Sequence, residues 1–104
     1  MKNFKINKKD EIKIIKIRKK RDFRGYFRRL FCADELNKIV DKKITQVNHS
    51  FTKKKGTIRG LHYQVKPFEE IKIIFCIKGK IFDVMVNMNK RSKNYLKKKY
   101  TFLD

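Results

Sequence analysis

The chain is poor in acidic residues, glycine, proline and tryptophan. Its 104 residues include 10 Asp and Glu against 30 Lys and Arg, four Gly, one Pro and no Trp. The glycines are scattered, which excludes a glycine-rich phosphate loop. No apolar run approaches the roughly 20 residues of a membrane span, so we expect no association with a membrane. An apolar fraction of 40% is nevertheless too high for a disordered tail, and the sequence predicts a soluble, folded chain.

Cysteine and histidine occur only twice each, and neither forms a metal-binding pattern. Cys32 and Cys76 lie far apart and form no CxxC pair. His49 and His62 form no HxH pair, whereas a metal site in a small β-fold needs closely spaced ligands. We therefore expect no metal. The basic N-terminus is not followed by a signal-peptide pattern, so we expect a cytoplasmic protein with reduced cysteines.

The net charge of +20 has to be interpreted through its distribution. The basic residues are 23 Lys and 7 Arg, and the lysines occur along the whole chain in short runs that flank apolar segments. A nucleic-acid surface favours Arg, whose planar guanidinium binds phosphate through two hydrogen bonds, and concentrates its charge on one face. The pattern therefore favours solvated lysines over a nucleic-acid footprint. A small basic β-module that binds nucleic acid without catalysis is the alternative function.

Apolar residues alternate with polar ones along most of the chain and include many β-branched and aromatic side chains, which favours strands. The pattern predicts one helical turn over 33–37. It predicts extended segments or strands over 12–17, 25–31, 44–51, 57–64, 71–77 and 80–88. The regular spacing of the last three is typical of an antiparallel sandwich or barrel. The length permits one small domain, 1–104, of the all-β class.

Alternation along the last three predicted strands places His62, Lys72 and Asp83 where they converge on one interior. A carboxylate that accepts a hydrogen bond from one imidazole nitrogen leaves the other nitrogen free as a general base. On spacing alone, the more common arrangement of such residues is favoured: a core histidine, an edge carboxylate and a solvated lysine. Arg24 and Arg59, each beside a glycine, are candidates for binding a phosphate or are ordinary surface arginines.

Longer motifs around these residues resemble those of a known family. The segment T-I-R-G-L-H-Y-Q at 57–64 resembles the R-G-L-H-Y-Q signature of the dTDP-4-dehydrorhamnose 3,5-epimerases, which are jelly-roll, cupin-like enzymes of nucleotide-sugar metabolism. The segments 22–27 and 46–50 resemble the family's D-x-R-G-x-F and Q-x-N-x-S. Lys72 with 79–83 resembles its K-x-V and G-x-[IVL]-x-D. The motifs occur in the family's order, from about residue 20 to about residue 95.

The resemblance implies a role for each of seven residues. His62 would remove the protons next to the C4 ketone of a dTDP-4-dehydro-6-deoxy sugar, Asp83 would orient it, and Lys72 would stabilise the enolate. The substrate's diphosphate, nucleotide and sugar would be bound by Arg24, Arg59, Gln46 and Asn48. No cofactor is needed, because the ketone itself acidifies C3 and C5. The expected partners are the dTDP-sugar and a second copy, in a homodimer with exchanged N-terminal strands.

Two departures from the family accompany the resemblance. Arg29 occupies the position of a glutamate that usually follows D-x-R-G-x-F. The tyrosine acid that faces the histidine belongs to the family's C-terminal half, and Tyr95 and Tyr100 come too early to match it. A jelly roll has about eight strands, more than the pattern predicts here. We therefore expect a jelly-roll domain truncated at its C-terminus, or one piece of a split enzyme.

Overall fold

The computed structural model describes residues 12–104 as two small antiparallel sheets and one helical turn. The elements are β1 (Lys19–Asp22), β2 (Gly25–Arg28), α1 (Ala33–Leu36), β3 (Ile81–Val86) and β4 (Lys98–Leu103). Strand β1 pairs with β2, and β3 pairs with β4. The all-β class is thereby confirmed. Among the described residues, no helix has the length and apolar character that a membrane crossing needs.

The first sheet is a hairpin whose two-residue turn is formed by Phe23 and Arg24, because Asp22 pairs directly with Gly25. The Asp22 carboxylate closes the turn. One of its oxygens accepts a hydrogen bond from the Arg24 main-chain N–H at 2.9 Å, and the other accepts from the Arg24 guanidinium at 2.7 and 3.2 Å. Gly25 follows at a φ of 138°, a left-handed conformation that glycine adopts without strain. The spacing D-x-R-G therefore encodes the turn itself.

The second sheet is closed by a polar residue rather than by a short turn. Asn87, only 8% exposed, begins the connection from β3 to β4. Its main-chain N–H donates to Lys97 O at 3.0 Å, and its main-chain carbonyl accepts from Leu96 N–H at 2.7 Å. Its side-chain amide donates to Ser92 Oγ at 3.3 Å and accepts from Asn89 N–H at 2.9 Å. These bonds compensate the cost of burying the amide and hold both ends of the connection together.

The strands of the two sheets agree only in part with the strands predicted from the sequence. The predictions for β2, α1 and β3 are confirmed, whereas β1 forms where a turn was expected and β4 was not predicted. The predictions over 12–17, 44–51, 57–64 and 71–77 are wrong, since no described residue of these segments belongs to a paired strand. A strand is stable only when a partner satisfies its N–H and C=O groups. Each observed strand pairs with its neighbour along the chain, whereas these four segments have no such partner among the described residues.

Little of the described chain is buried. Cys76, 4% exposed, is the one buried apolar residue among residues 12–104. The solvent-accessible surface is 10780 Å², whereas a compact protein of this mass exposes about 6200 Å². The radius of gyration of 15.5 Å likewise exceeds the value of about 13 Å for a compact domain of this length. The apolar faces of most segments therefore meet solvent.

The hairpin turn gives a testable electrostatic prediction. The Arg24 hydrogen bonds hold the pKa of the Asp22 carboxyl below its ordinary value. Because the folded pKa lies below the unfolded value, the stabilisation by this carboxylate is complete above about pH 4 and is lost as the pH falls through the lowered folded pKa. We expect Arg24→Ala to return the Asp22 pKa towards its ordinary value, as measured by carbon-detected NMR titration of the carboxyl.

Arg21→Ala is the matched control for this titration. It removes an equal charge from the same hairpin, but Arg21 makes no hydrogen bond to Asp22 and instead lies over the Tyr26 ring, 5.6 Å from its centroid. An equal shift in both variants would show that general charge, and not the turn's hydrogen bonds, sets the pKa.

Candidate functional site

The segment 57–64, which contains Arg59 and His62, lies on the surface without a strand partner. Its start is fixed by two local bonds: Thr57 Oγ1 donates to Lys54 O at 2.8 Å, and Arg59 Nη2 donates to Phe51 O at 2.9 Å. Between them and the histidine lies Gly60 at a φ of +120°. Residues that carry a side chain rarely adopt this backbone conformation, and a Cβ there would lie 3.7 Å from the His62 Nδ1. Glycine at this position therefore has a local structural reason.

Among residues 12–104, no hydrogen bond or ion pair joins His62 to Asp83, the predicted base and its orienting carboxylate. The His62 imidazole is exposed, and within residues 12–104 it makes no hydrogen bond. Asp83 lies half-buried in β3, opposite Thr101 of β4, and its carboxylate forms no ion pair in the described region. The free imidazole leaves both ring nitrogens available to a ligand. Convergence of the two side chains would require the segment 57–64 to pack beside β3.

Lys72 is linked to the end of the R-G-L-H-Y-Q segment through a residue that the sequence analysis did not single out. Lys72 Nζ lies 3.2 Å from Glu70 Oε1. With its amide oriented to satisfy its hydrogen bonds, Gln64 donates to the same Glu70 oxygen at 3.1 Å and to Phe68 O at 3.0 Å. The loop between them contains a turn in which Phe68 N–H donates to Val65 O at 2.9 Å. The signal that could have identified Glu70 is alternation, because residues two positions apart, such as Glu70 and Lys72, lie on the same face of an extended segment.

Arg24 lies beside an open cleft on the hairpin. The cleft has a volume of about 340 Å³ and is lined by Lys20, Arg21, Asp22, Arg24, Gly25, Tyr26 and Phe27. The Arg24 side chain is 75% exposed even though its guanidinium is paired with Asp22. Three cations and one carboxylate line this cleft, so its charge favours an anionic ligand. Asp22 fixes the direction of the guanidinium while leaving most of its surface accessible.

The remaining predicted binding residues lie on one exposed segment. Gln46 and Asn48 are exposed on the segment 44–51, and the structure gives neither side chain a hydrogen bond. Arg29, at the position where a glutamate was expected, points to α1 and lies 3.5 Å from Glu35 Oε1. Its positive charge is therefore partly neutralised by the helical turn that follows it.

No metal centre is evident within residues 12–104, where no three His, Cys, Asp or Glu side chains are grouped closely enough to hold an ion. Cys32 and Cys76 are free thiols. The Cys76 thiol is buried and donates to Lys78 O at 3.3 Å.

Comparison with known proteins gives consistent matches. Residues 7–104 match the family model described as dTDP-4-dehydrorhamnose 3,5-epimerase. A protein of that name from Sinorhizobium fredii is 40% identical over 86 residues, which are 82% of this chain and 44% of the relative. Another from Shigella flexneri is 38% identical over 76 residues, 71% of this chain and 41% of the relative. No solved structure matches the chain.

One further relative is named a 3-epimerase rather than a 3,5-epimerase. A dTDP-4-dehydrorhamnose 3-epimerase from Streptomyces niveus is 29% identical over 76 residues, covering 71% of this chain and 36% of the relative. The chain thus spans less than half the length of these curated relatives. The family model nevertheless covers nearly all of it, including every motif that carries a predicted site residue. On this match, the chain belongs to the dTDP-4-dehydrorhamnose 3,5-epimerase family.

Proposed function

We propose that the chain carries the base-bearing part of a dTDP-4-dehydrorhamnose 3,5-epimerase, an isomerase that acts on dTDP-4-dehydro-6-deoxyglucose at C3 and C5. The observation that carries this proposal is the family match over residues 7–104. The names of the relatives supply the substrate class, and the motifs at 22–27, 46–50 and 57–64 supply the residues.

The reaction is two proton transfers at each centre and needs no net oxidation or reduction. The C4 ketone acidifies the adjacent C–H bond, so that His62 can take the proton while the bonding electrons move into an enolate. The Lys72 ammonium lies beside the enolate oxygen and stabilises its charge. An acid on the opposite face returns a proton to carbon and inverts the centre. That acid is a tyrosine in the part of the family's length that this chain does not match.

The described geometry supports parts of this assignment. His62 has an exposed imidazole with free nitrogens, as a general base requires. Glu70 fixes the direction of the Lys72 ammonium at 3.2 Å. Asp83 acts as the orienting carboxylate once the segment 57–64 packs beside β3. Asp83 is half-buried in the paired strand β3, so the backbone that carries its carboxylate is fixed.

The proposed substrate contacts rest on the opposite charges of the diphosphate and the arginine side chains. The diphosphate binds to Arg24 and Arg59, whose guanidinium groups form paired hydrogen bonds with phosphate oxygens. The cleft beside Arg24 has a cationic lining and room for a ligand. Gln46 and Asn48 contact the nucleotide or the sugar through amide groups that are free to bind.

The proposed assembly explains the surface of the described chain. Phe51, Ile58 and Leu61 are each more than 70% exposed, which is costly for apolar side chains in water. We propose that residues 1–104 form an incomplete unit of a cupin-like jelly roll, in which further strands cover these side chains. The functional form is a homodimer with exchanged N-terminal strands, located in the cytoplasm, where Cys32 and Cys76 stay reduced.

Solvent-deuterium exchange tests the proposed base. In D₂O the full chain should introduce deuterium next to the ketone of dTDP-4-dehydro-6-deoxyglucose, as read by proton NMR. His62→Gln should lower the exchange rate by about 10²- to 10⁴-fold, because general-base catalysis contributes that much. His49→Gln is the matched control, since His49 is also an exposed histidine and has no role in the proposed proton transfer. Exchange at C3 alone would indicate a 3-epimerase, and no exchange by the folded chain would contradict the proposal.

Ligand titration tests the proposed diphosphate contact. Loss of one charged hydrogen-bonding partner typically costs about 1.5–3 kcal/mol, so Arg59→Ala should weaken dTDP binding about 10- to 150-fold in isothermal calorimetry. Arg91→Ala removes an equal charge from an exposed position on the connection between β3 and β4 and should leave the affinity nearly unchanged. Equal weakening in both variants would mean that net charge alone attracts the nucleotide.

A further inference from the structure

One face of the second sheet combines exposed aromatic rings with lysines. Residues directly opposite each other in an antiparallel pair share a face, and the register pairs Phe82 with Phe102, Val84 with Tyr100 and Val86 with Lys98. Alternation adds Lys80 at the start of β3. We call this set the aromatic face: Lys80, Phe82, Val84, Val86, Lys98, Tyr100 and Phe102. It contains no acidic residue.

The three rings of the aromatic face are contiguous and open to solvent. Phe82, Tyr100 and Phe102 are 55%, 66% and 60% exposed. Phe82 lies between the other two, with its ring centroid 5.7 Å from that of Tyr100 and 5.0 Å from that of Phe102. The Lys80 ammonium lies 4.6 Å from the Phe102 centroid. Neighbouring rings with a cation at one end form a surface on which planar groups can stack.

The opposite side of this sheet has a different environment. Asp83, Met85, Thr101 and Leu103 alternate with the aromatic face and are half-buried by the rest of the chain. Asp83, which the proposed reaction uses, therefore points away from the aromatic face. A ligand on the aromatic face would not compete with a sugar nucleotide bound beside Asp83.

The chemistry of the aromatic face indicates what can cover it. Sheet faces that present aromatic rings between basic side chains bind single-stranded nucleic acids, because bases stack on the rings while phosphates meet the cations. Association with another apolar protein surface would use the same rings. Two copies joined through this face would bring Lys80 and Lys98 of one copy against the same lysines of the other, and the face has no acidic residue to offset them. A polyanion gains from the same charge.

We infer that the aromatic face binds single-stranded nucleic acid by stacking bases on Tyr100 and Phe102, with Lys80 and Lys98 contacting phosphates. This activity is additional to the proposed epimerase chemistry and does not depend on it. The scattered lysines of the sequence disfavour such binding, and the structure changes that assessment by placing two of them beside three exposed rings on one face.

Fluorescence anisotropy with a labelled oligo(dT) of 12 bases and the full-length chain tests the inference. Phe102→Ala and Tyr100→Ala should each weaken binding about 5- to 150-fold, the range expected for loss of one stacked base. Phe102→Tyr keeps a ring and should retain the affinity, which guards against a folding defect in the alanine variant. Phe68→Ala is the control, because Phe68 is an exposed aromatic residue outside the sheet.

Salt dependence distinguishes the inferred partner from the other occupants. Binding of the oligonucleotide should weaken with salt, and Lys80→Gln should lower the slope of log K against log salt by about 0.7, the value for one phosphate contact on a single strand. Equal affinity in the wild type and Phe102→Ala would overturn the inference, since binding would then reside in lysines elsewhere. Self-association that strengthens with salt, without oligonucleotide binding, would also overturn it and assign the face to a second copy.

Discussion

The described structure depends on the Arg28 guanidinium, which joins its two sheets. From the end of β2, Arg28 donates to Cys76 O at 2.9 Å, to Ile77 O at 3.5 Å and to Asp104 O at 3.2 Å. The first two carbonyls lie in the segment that leads to β3, and the third follows β4. Hydrogen bonds from a charged donor are stronger than neutral ones. Cys76, whose carbonyl is one of the acceptors, has the most buried apolar side chain described. Because the described chain has so little apolar core, this polar junction is what attaches the hairpin to the second sheet.

The junction has a functional consequence. It holds the hairpin that carries Arg24 against the sheet that carries Asp83, so these two proposed site residues belong to one connected unit. A second local link runs from Gln64 through Glu70 to Lys72 and fixes the loop that follows the segment 57–64. The segment 57–64 is attached to neither sheet by a ladder. The same chain therefore contains fixed and unpaired parts of the proposed site, and packing of the unpaired part is what would assemble it.

Sequence reasoning succeeded where the determining interactions are local. The D-x-R-G motif forms a turn through contacts between residues two positions apart, and the alternation over 80–88 marks β3 because its partner follows in the chain. It failed over 57–64 and 71–77, where alternation is clear but the described chain offers no partner edge. The proximity of His62 and Asp83 was inferred from those strands and stays a prediction. Arg28 and Glu70 were missed, because a carbonyl junction and a pair of exposed charges leave little trace in a pattern of apolar residues.

Hydrogen exchange of the second sheet tests most directly whether Arg28 connects the two halves of the described chain. The account predicts that Arg28→Ala raises the exchange rates of main-chain amides in β3 and β4 by about 10-fold or more, since a charged hydrogen bond contributes about 1.5–3 kcal/mol. Arg29→Ala, which removes the neighbouring charge and its contact with Glu35, should leave those amides unchanged. Faster exchange confined to 25–28 in the Arg28 variant would contradict the account, because the second sheet would then be stable without the junction.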